Sequence, residues 1–399
     1  MMENGVKAEA GKAMRIGAVC IFSYLACYYL RNLLGVTTPE MLEDSMFNKE
    51  YIGLLSSVYF LIYAAGQLLN GILGDIFSPK KMVIYGLGIS GLITMIFPLI
   101  TMKWLQVVCF GLMGFGLSML RGPLVKTFSE NTIPKYARII AVFFSYASFT
   151  GSLIASLLSI IFDWKWTFIV AGFCSLLIAA TTYITFTSME QKGMITYSSA
   201  KSRGFKGLFG VFKIEKFIFY MIIGAIVEIA GASISFWIPT YLTERMNYGS
   251  ETAALIYSGI SFIRSFTPFI ALAIFRGMKE NDVKLTRISF VVATSAFILL
   301  IFIKNPYLNI VVLLLALMAV GCSGALLWSI YIPGLGRTGM VSSVNGILDC
   351  SGYIAAAAAN LLFANIIDRI SWNGVIAMWA AIAFVGVATT WCEKSQVSL

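Results

Sequence analysis

The sequence predicts an all-α membrane protein of twelve transmembrane helices in two pseudo-symmetric six-helix bundles. Three observations carry that expectation. Of 399 residues, 59% are hydrophobic and only 12% charged, against roughly half and a quarter in soluble domains. The apolar residues form long unbroken runs, such as 310–320, and not the short alternating stretches of a membrane β-barrel. At about 20 apolar residues per span plus connecting loop, the chain has room for a dozen spans. A soluble enzyme, a disordered chain and a disulfide scaffold are all excluded by this balance.

The twelve segments run approximately over 16–38, 50–74, 81–100, 104–126, 136–162, 165–188, 216–242, 251–275, 285–303, 306–331, 340–367 and 372–392. The polar stretch 189–215, with Lys192, Lys201, Arg203, Lys206 and Lys213, separates an N-terminal bundle (1–188) from a C-terminal one (216–399). Of the 29 Lys and Arg, twenty fall on the side of the N-terminus, six on the other side, and three inside segments. Basic residues gather on the cytoplasmic side, so both termini are expected there, in a multi-pass protein of the plasma membrane. The net charge of +10 thus reads as topology and implies no nucleic-acid partner. The basic N-terminus leads into a first run with no small-residue cleavage site, which reads as a retained helix. A monomer in the lipid bilayer is expected.

Neither a cofactor nor a metal is expected. The chain has no histidine, the commonest metal ligand and neutral-pH proton carrier. Its seven cysteines form no Cys-x-x-Cys pair and read as small packed side chains. No phosphate-cradling loop or nucleophile–base pair points to an enzyme.

The two halves share small-residue and proline markers in the same order. Pro39 and Pro239 close the first and seventh segments. Gly114, Gly116 and Pro123 in the fourth parallel Gly321, Gly324 and Pro333 in the tenth, and Gly151 in the fifth parallels Gly352 in the eleventh. Such markers suit close helix packing and duplicated halves. After the second segment the chain reads Gly71-Ile-Leu-Gly74-Asp75-Ile-Phe-Ser-Pro79-Lys80-Lys81. This resembles the signature of the major facilitator superfamily between its second and third helices, with Ile76 where that pattern has arginine. The resemblance covers essentially the whole chain and implies alternating access about a midplane site. On physical grounds alone, Asp75 with Lys80 and Lys81 suits a latch between helix ends, with Glu130 and Arg138 as further candidate members.

An ionisable group at bilayer depth costs about 2.5–3.5 kcal/mol and is a functional candidate by default. Five qualify: Arg31, Arg121, Glu228, Arg264 and Asp349, in segments one, four, seven, eight and eleven. In the superfamily arrangement these helices line or flank the central cavity. Arg31 is the first choice for substrate, since a guanidinium can grip a carboxylate or phosphate through two parallel hydrogen bonds. Its setting, Tyr28-Tyr29-Leu30-Arg31 with Pro39 downstream, resembles the organophosphate and sugar-phosphate permease branch. There a second arginine completes a phosphate clamp; the matching position here is Gly231, so the clamp is incomplete. Arg121 and Arg264 are further substrate candidates, and Tyr24, Tyr28, Tyr59, Tyr63 and Trp328 could line a pocket. Glu228, with Asp349 second, is the candidate for proton coupling; a fixed salt bridge of Glu228 with Arg264 or Arg31 is the open alternative.

Three buried positive charges against two negative favour an anionic substrate. The leading expectation is a secondary active transporter of a small organic anion, coupled to protons by symport or exchange. A sugar-phosphate or phosphate antiporter, an efflux pump for hydrophobic compounds, and a sensor that binds without transporting are the alternatives.

Overall fold

A computed structural model describes residues 2–44, 46–197, 210–366 and 369–393. Lys201, Arg203 and Lys206 of the expected linker lie outside them. The described residues form helices and connecting turns: α1 (Met2–Met41), α2 (Lys49–Ile76), α3 (Pro79–Ile96), α4 (Lys103–Ser118), α5 (Arg121–Asn131), α6 (Pro134–Ile161), α7 (Trp164–Gln191), α8 (Phe217–Glu228), α9 (Ser235–Glu244), α10 (Ser250–Arg264), α11 (Thr267–Gly277), α12 (Asp282–Phe302), α13 (Pro306–Leu326), α14 (Ile332–Gly334), α15 (Val341–Ile366) and α16 (Trp372–Cys392).

Short polar punctuation sets where the helices start. Asn48, Asp163, Asn281 and Asn305 each accept a hydrogen bond from a backbone N–H of the turn they open, satisfying donors that a helix start leaves unpaired. Pro79, Pro134 and Pro306 stand at first helical positions, where the missing N–H costs nothing. Ten helices or joined helices are long and apolar enough to cross a membrane, and the bent pair around 217–244 makes an eleventh. At 26 residues, α15 also exceeds the ~20 that a span requires. Leu61, Leu99, Ile160, Leu255 and Phe302 are exposed, as a surface solvated by lipid permits. Trp104, Trp166, Tyr307 and Trp391 are exposed near helix ends, where amphipathic rings suit the bilayer interface.

Four of the segments are interrupted. The fourth breaks at 119–120, so Arg121 opens α5. The seventh passes through a π-helical turn, Ile229–Ile234, directly after Glu228 and bends by 51°. The eighth breaks after Arg264, and the tenth loosens into a π-helical stretch, Leu327–Tyr331, that contains Trp328. Such interruptions free backbone groups at membrane depth, which is tolerated only inside protein or along a polar cavity.

Two compact units result. The first is Met1–Val211 with Tyr331–Cys350, and the second is Phe212–Ile330 with Ser351–Leu399. In the first, α1 packs on α6 through the stacked rings of Tyr24 and Phe144, 3.8 Å between centroids, and meets α7 where the Ser23 and Thr182 hydroxyls lie 3.0 Å apart. The start of α15 crosses α2 at a close approach of two glycines, Gly71 and Gly346. A Cβ on Gly346 would fall 2.3 Å from the Gln67 carbonyl oxygen and 2.7 Å from Gly71 Cα. In the second unit, α12 packs with α16, the Phe290 ring lying against Gly386. Trp379 meets Phe297 and Tyr241 there, and the Tyr241 hydroxyl donates to Asn309 Oδ1 at 2.7 Å.

The α2–α15 crossing predicts that Gly346→Ala destabilises the protein by about 1–3 kcal/mol through overpacking. Thermal unfolding in detergent checks this against Gly88→Ala, where nothing lies within 4 Å of the added methyl; equal midpoints for the two variants would contradict the crossing.

Candidate functional site

The first unit gathers three of the five membrane-depth charges. Arg121, freed at the N-terminus of α5 by the break before it, donates from Nη1 to Asp349 Oδ1 at 2.6 Å. Asp349 is 1% exposed and Arg121 14%. The second carboxylate oxygen of Asp349 accepts from Asn345 Nδ2, one turn earlier on α15, at 3.1 Å. A buried carboxylate with both oxygens occupied is compensated, which its location demands. Tyr24 and Cys27 of α1 lie within electrostatic reach of Arg121, and Arg31 lies within reach of Asp349.

Arg31 sits among rings. Its guanidinium carbon lies 4.8 Å from the centroid of Tyr63 and 5.3 Å from those of Tyr28 and Phe60. Aromatic faces attract a guanidinium at these distances. The cage is itself braced: Gln67 Nε2 donates to the Tyr63 hydroxyl at 2.6 Å, Tyr59 stacks on Tyr63, and Tyr24 meets Tyr28 edge-on. The apolar segments α1 and α2 thus place their tyrosines around one cation.

Asp75 forms a second cluster at the end of α2. Its two carboxylate oxygens accept from the backbone N–H groups of Ser342 and Ser343, at 3.2 and 2.7 Å. It therefore caps α15 from another helix, supplying the acceptor and the negative charge that a helix N-terminus favours. Lys126 Nζ lies 3.3 Å from Asp75 Oδ1 and 4.0 Å from Glu130 Oε1, and donates to the Gly74 and Asp75 carbonyls. Lys126 is 1% exposed. The basic residues expected beside Asp75 sit elsewhere. Lys80 pairs with Glu190 and faces the Tyr183 ring, joining α3 to α7; Lys81 is exposed and Arg138 half-buried on α6.

The second unit holds the other two charges. Glu228 is half-buried at the end of α8, its Cγ 2.5 Å from where a Cβ on Gly352 would stand; only glycine leaves room for that side chain. Arg264 donates from Nη1 to Ser235 Oγ at 2.7 Å. Gly231, exposed in the π-helical turn, has open space around it, and Trp328 is half-buried.

Lys126, Asn345, Phe60 and Gln67 escape the sequence reading. Lys126 looks like an ordinary cytoplasmic cation by its position at the end of the fourth segment. The available signal is its spacing: it falls four residues before Glu130, on the same face of α5.

The family model for the Major Facilitator Superfamily matches residues 20–357. The chain belongs to this superfamily. Its members are transporters, and the chain is accordingly a multi-pass transport protein and not an enzyme. It is 22% identical over 92% of its length to the glycerol-3-phosphate transporter of Bacillus subtilis, 90% of which is covered. It is 22% identical over 83% of its length to the mouse (Mus musculus) glucose-6-phosphate exchanger SLC37A2, 76% of which is covered. A probable hexose phosphate transport protein of Chlamydia muridarum matches at 26% identity, but over 26% of this chain and 22% of that protein. Among solved structures, the human organic anion transporter MFSD10 superposes with a TM-score of 0.75 at 14% identity, covering 95% of this chain and 99% of that one. The E. coli fucose:proton symporter FucP gives 0.72 at 14%, covering 96% and 99%. These structural likenesses establish the fold.

The Asp75 cluster yields a double-mutant prediction. Lys126→Met leaves a buried carboxylate without its cation, at a cost of about 3–5 kcal/mol. Asp75→Asn in the same chain removes that charge while keeping an oxygen to cap α15, so the double variant should recover most of the loss. Additive losses in thermal unfolding would show that the two residues do not form a pair.

Proposed function

We propose that the chain is a secondary active transporter that moves a small organic anion by alternating access, with Arg31 as the anchor of the substrate's charge. The aromatic cage supports this most directly. It places a guanidinium among the rings of Tyr28, Phe60 and Tyr63, and a guanidinium can grip a carboxylate or phosphate through two parallel hydrogen bonds. Arg121, Tyr28, Tyr59 and Tyr63 complete the binding candidates of the first unit; Arg264 and Trp328 are those of the second. The six-helix halves 1–188 and 216–399, joined by the linker 189–215, are the moving bodies. Asp75, with Lys80, Lys81 and Arg138, belongs to the gate on the side of the chain termini, which is the cytoplasmic side of a plasma membrane. The protein acts as a monomer.

Glu228 couples transport to protons in this reading, and Asp349 is the second candidate. A carboxyl beside a π-helical turn can exchange a proton as its surroundings change from wet to dry, since desolvation favours its neutral form. Glu228 also lies three residues before Gly231, within the first helix of the only bent pair among the described candidate spans.

Phosphate-ester exchange is the second reading, favoured by the named activities of the curated relatives. A third comes from the membrane sensor protein UhpC of Escherichia coli, 26% identical over 23% of this chain and 21% of that protein. Uptake into proteoliposomes separates all three: a sensor moves nothing, and an exchanger needs internal counter-substrate but no pH gradient.

Two outcomes are expected in that assay. Arg31→Ala should weaken anion binding about 10- to 100-fold through loss of charged hydrogen bonds, and a ligand bound equally well by the variant would remove Arg31 from the site. Glu228→Gln should keep exchange of bound substrate yet abolish accumulation driven by a pH gradient. Undiminished accumulation would refute the coupling role.

A further inference from the structure

We infer that Arg264 and Tyr257 form an oxyanion-binding site of the second unit, and that Ser235 transmits its occupation to the π-helical turn Ile229–Ile234. This rests on the reading of the chain as an organic-anion transporter. It adds a place where the second unit holds an acid group of the substrate, and the segment that senses it.

Arg264 lies near the middle of the candidate span Leu255–Gly277, as the last residue of α10. It is half-buried. A guanidinium carries one full charge and five N–H donors, yet the groups that Arg264 meets are neutral. Its Nη1 donates to Ser235 Oγ at 2.7 Å. Tyr257, two turns earlier on α10 and so on nearly the same face, lies within electrostatic reach. Among the described residues no carboxylate pairs with Arg264. The C-terminal end of α10 offers at most about half an elementary charge. A cation at this depth is costly without a counter-charge, so roughly half a charge is left for a ligand to supply. Two oxygens of a carboxylate or phosphate group match the guanidinium edge, and the Tyr257 hydroxyl is a further donor on the same helix face.

Ser235 joins this site to the backbone. It is 3% exposed. Its own N–H bonds to the Ala232 carbonyl, and its hydroxyl donates to the Ala230 carbonyl, five residues back, at 3.0 Å. The hydroxyl is thus a cross-tie of the π-helical turn. While Arg264 donates to the same oxygen, its charge polarises the hydroxyl and strengthens the bond to Ala230. An oxyanion that recruits Nη1 removes that support. A hydroxyl also has a single proton to give, so an oxyanion that accepts from Ser235 breaks the bond to Ala230 outright. Either way the turn loosens directly after Glu228, where the seventh segment bends by 51°. Single π-helical turns inside α-helices occur frequently at functional sites, and here the weak point of the helix is wired to a membrane-depth cation.

The test uses purified full-length protein and three probe acids, gluconate, glycerol 3-phosphate and benzoate. Calorimetry reads binding, and hydrogen exchange followed by mass spectrometry reads the backbone amides of 229–235 with and without saturating acid. At least one acid should bind wild-type protein and speed exchange in this segment about fivefold, the shift in opening expected from one lost hydrogen bond. Arg264→Gln should weaken that acid about tenfold or more, through loss of charged hydrogen bonds. Ser235→Ala should lower affinity by no more than about fivefold, raise exchange of 229–235 before any acid is added, and abolish the response to acid; Ser235→Thr, which keeps the hydroxyl, should restore it. An acid that binds Arg264→Gln as tightly as wild type overturns the site, and if Arg31→Ala still weakens that acid, the organic-anion reading stands. A response to acid that persists unchanged in Ser235→Ala overturns the relay. Binding of none of the acids counts against the organic-anion reading and the site with it. If Arg264→Gln does not fold, Arg264→Lys decides, since an ammonium keeps the charge but not the fork: affinity equal to wild type counts against the site.

Discussion

A charge inside a bilayer has to find an opposite charge or a set of hydrogen bonds, because lipid supplies neither. Much of this protein's internal architecture follows from that constraint. The Arg121–Asp349 pair is its plainest case. Arginine at this depth is stable because an aspartate meets it at 2.6 Å, and the aspartate is stable because Asn345 takes its second oxygen. Each element then has a reason for its local form. The break before α5 exposes Arg121 at a helix start, and the glycines of α2 and α15 let those two helices approach closely enough for the start of α15 to join the first unit.

Asp75 obeys the same constraint by a different route. Its carboxylate meets the N-terminus of α15, whose backbone N–H groups and dipole act as a diffuse positive charge. Two backbone donors do not neutralise a full charge at 4% exposure, and Lys126 supplies the remainder. The exchange is mutual, because Lys126 at 1% exposure would be untenable without Asp75 and Glu130. Three side chains from two helices thereby fix the start of a third.

The fold was legible in the sequence for physical reasons. Hydrophobic length, the asymmetry of basic loops and the duplicated glycine and proline markers are all local or additive properties, and each survives being read one residue at a time. The membrane-depth charges were legible as candidates because their cost singles them out. Their partners were not. That Arg121 meets Asp349 depends on helices 228 positions apart in the chain, and the capping of α15 by Asp75 spans 267. The aromatic setting of Arg31 was half visible, since Tyr28 lies one turn away on the same helix, while Phe60 and Tyr63 come from α2. Lys80 and Lys81 were natural choices as partners of Asp75 by proximity in sequence. The turn at 77–78 directs them away, toward α7 in the case of Lys80.

The substitution of Ile76 for the arginine of the superfamily pattern gains its explanation from that geometry. An arginine one residue after Asp75 would deliver a cation to the helix end from within the same turn. Here the cation arrives from α5, as Lys126, and its ammonium is held by two backbone carbonyls as well as by carboxylates. Such a lysine cannot also serve as a mobile surface charge, and it ties the end of α2 to α5. The motif position can then be apolar, because the requirement was never for an arginine at one place in the sequence. It was for one positive charge within reach of a buried carboxylate, and any helix able to bring it there satisfies the physics.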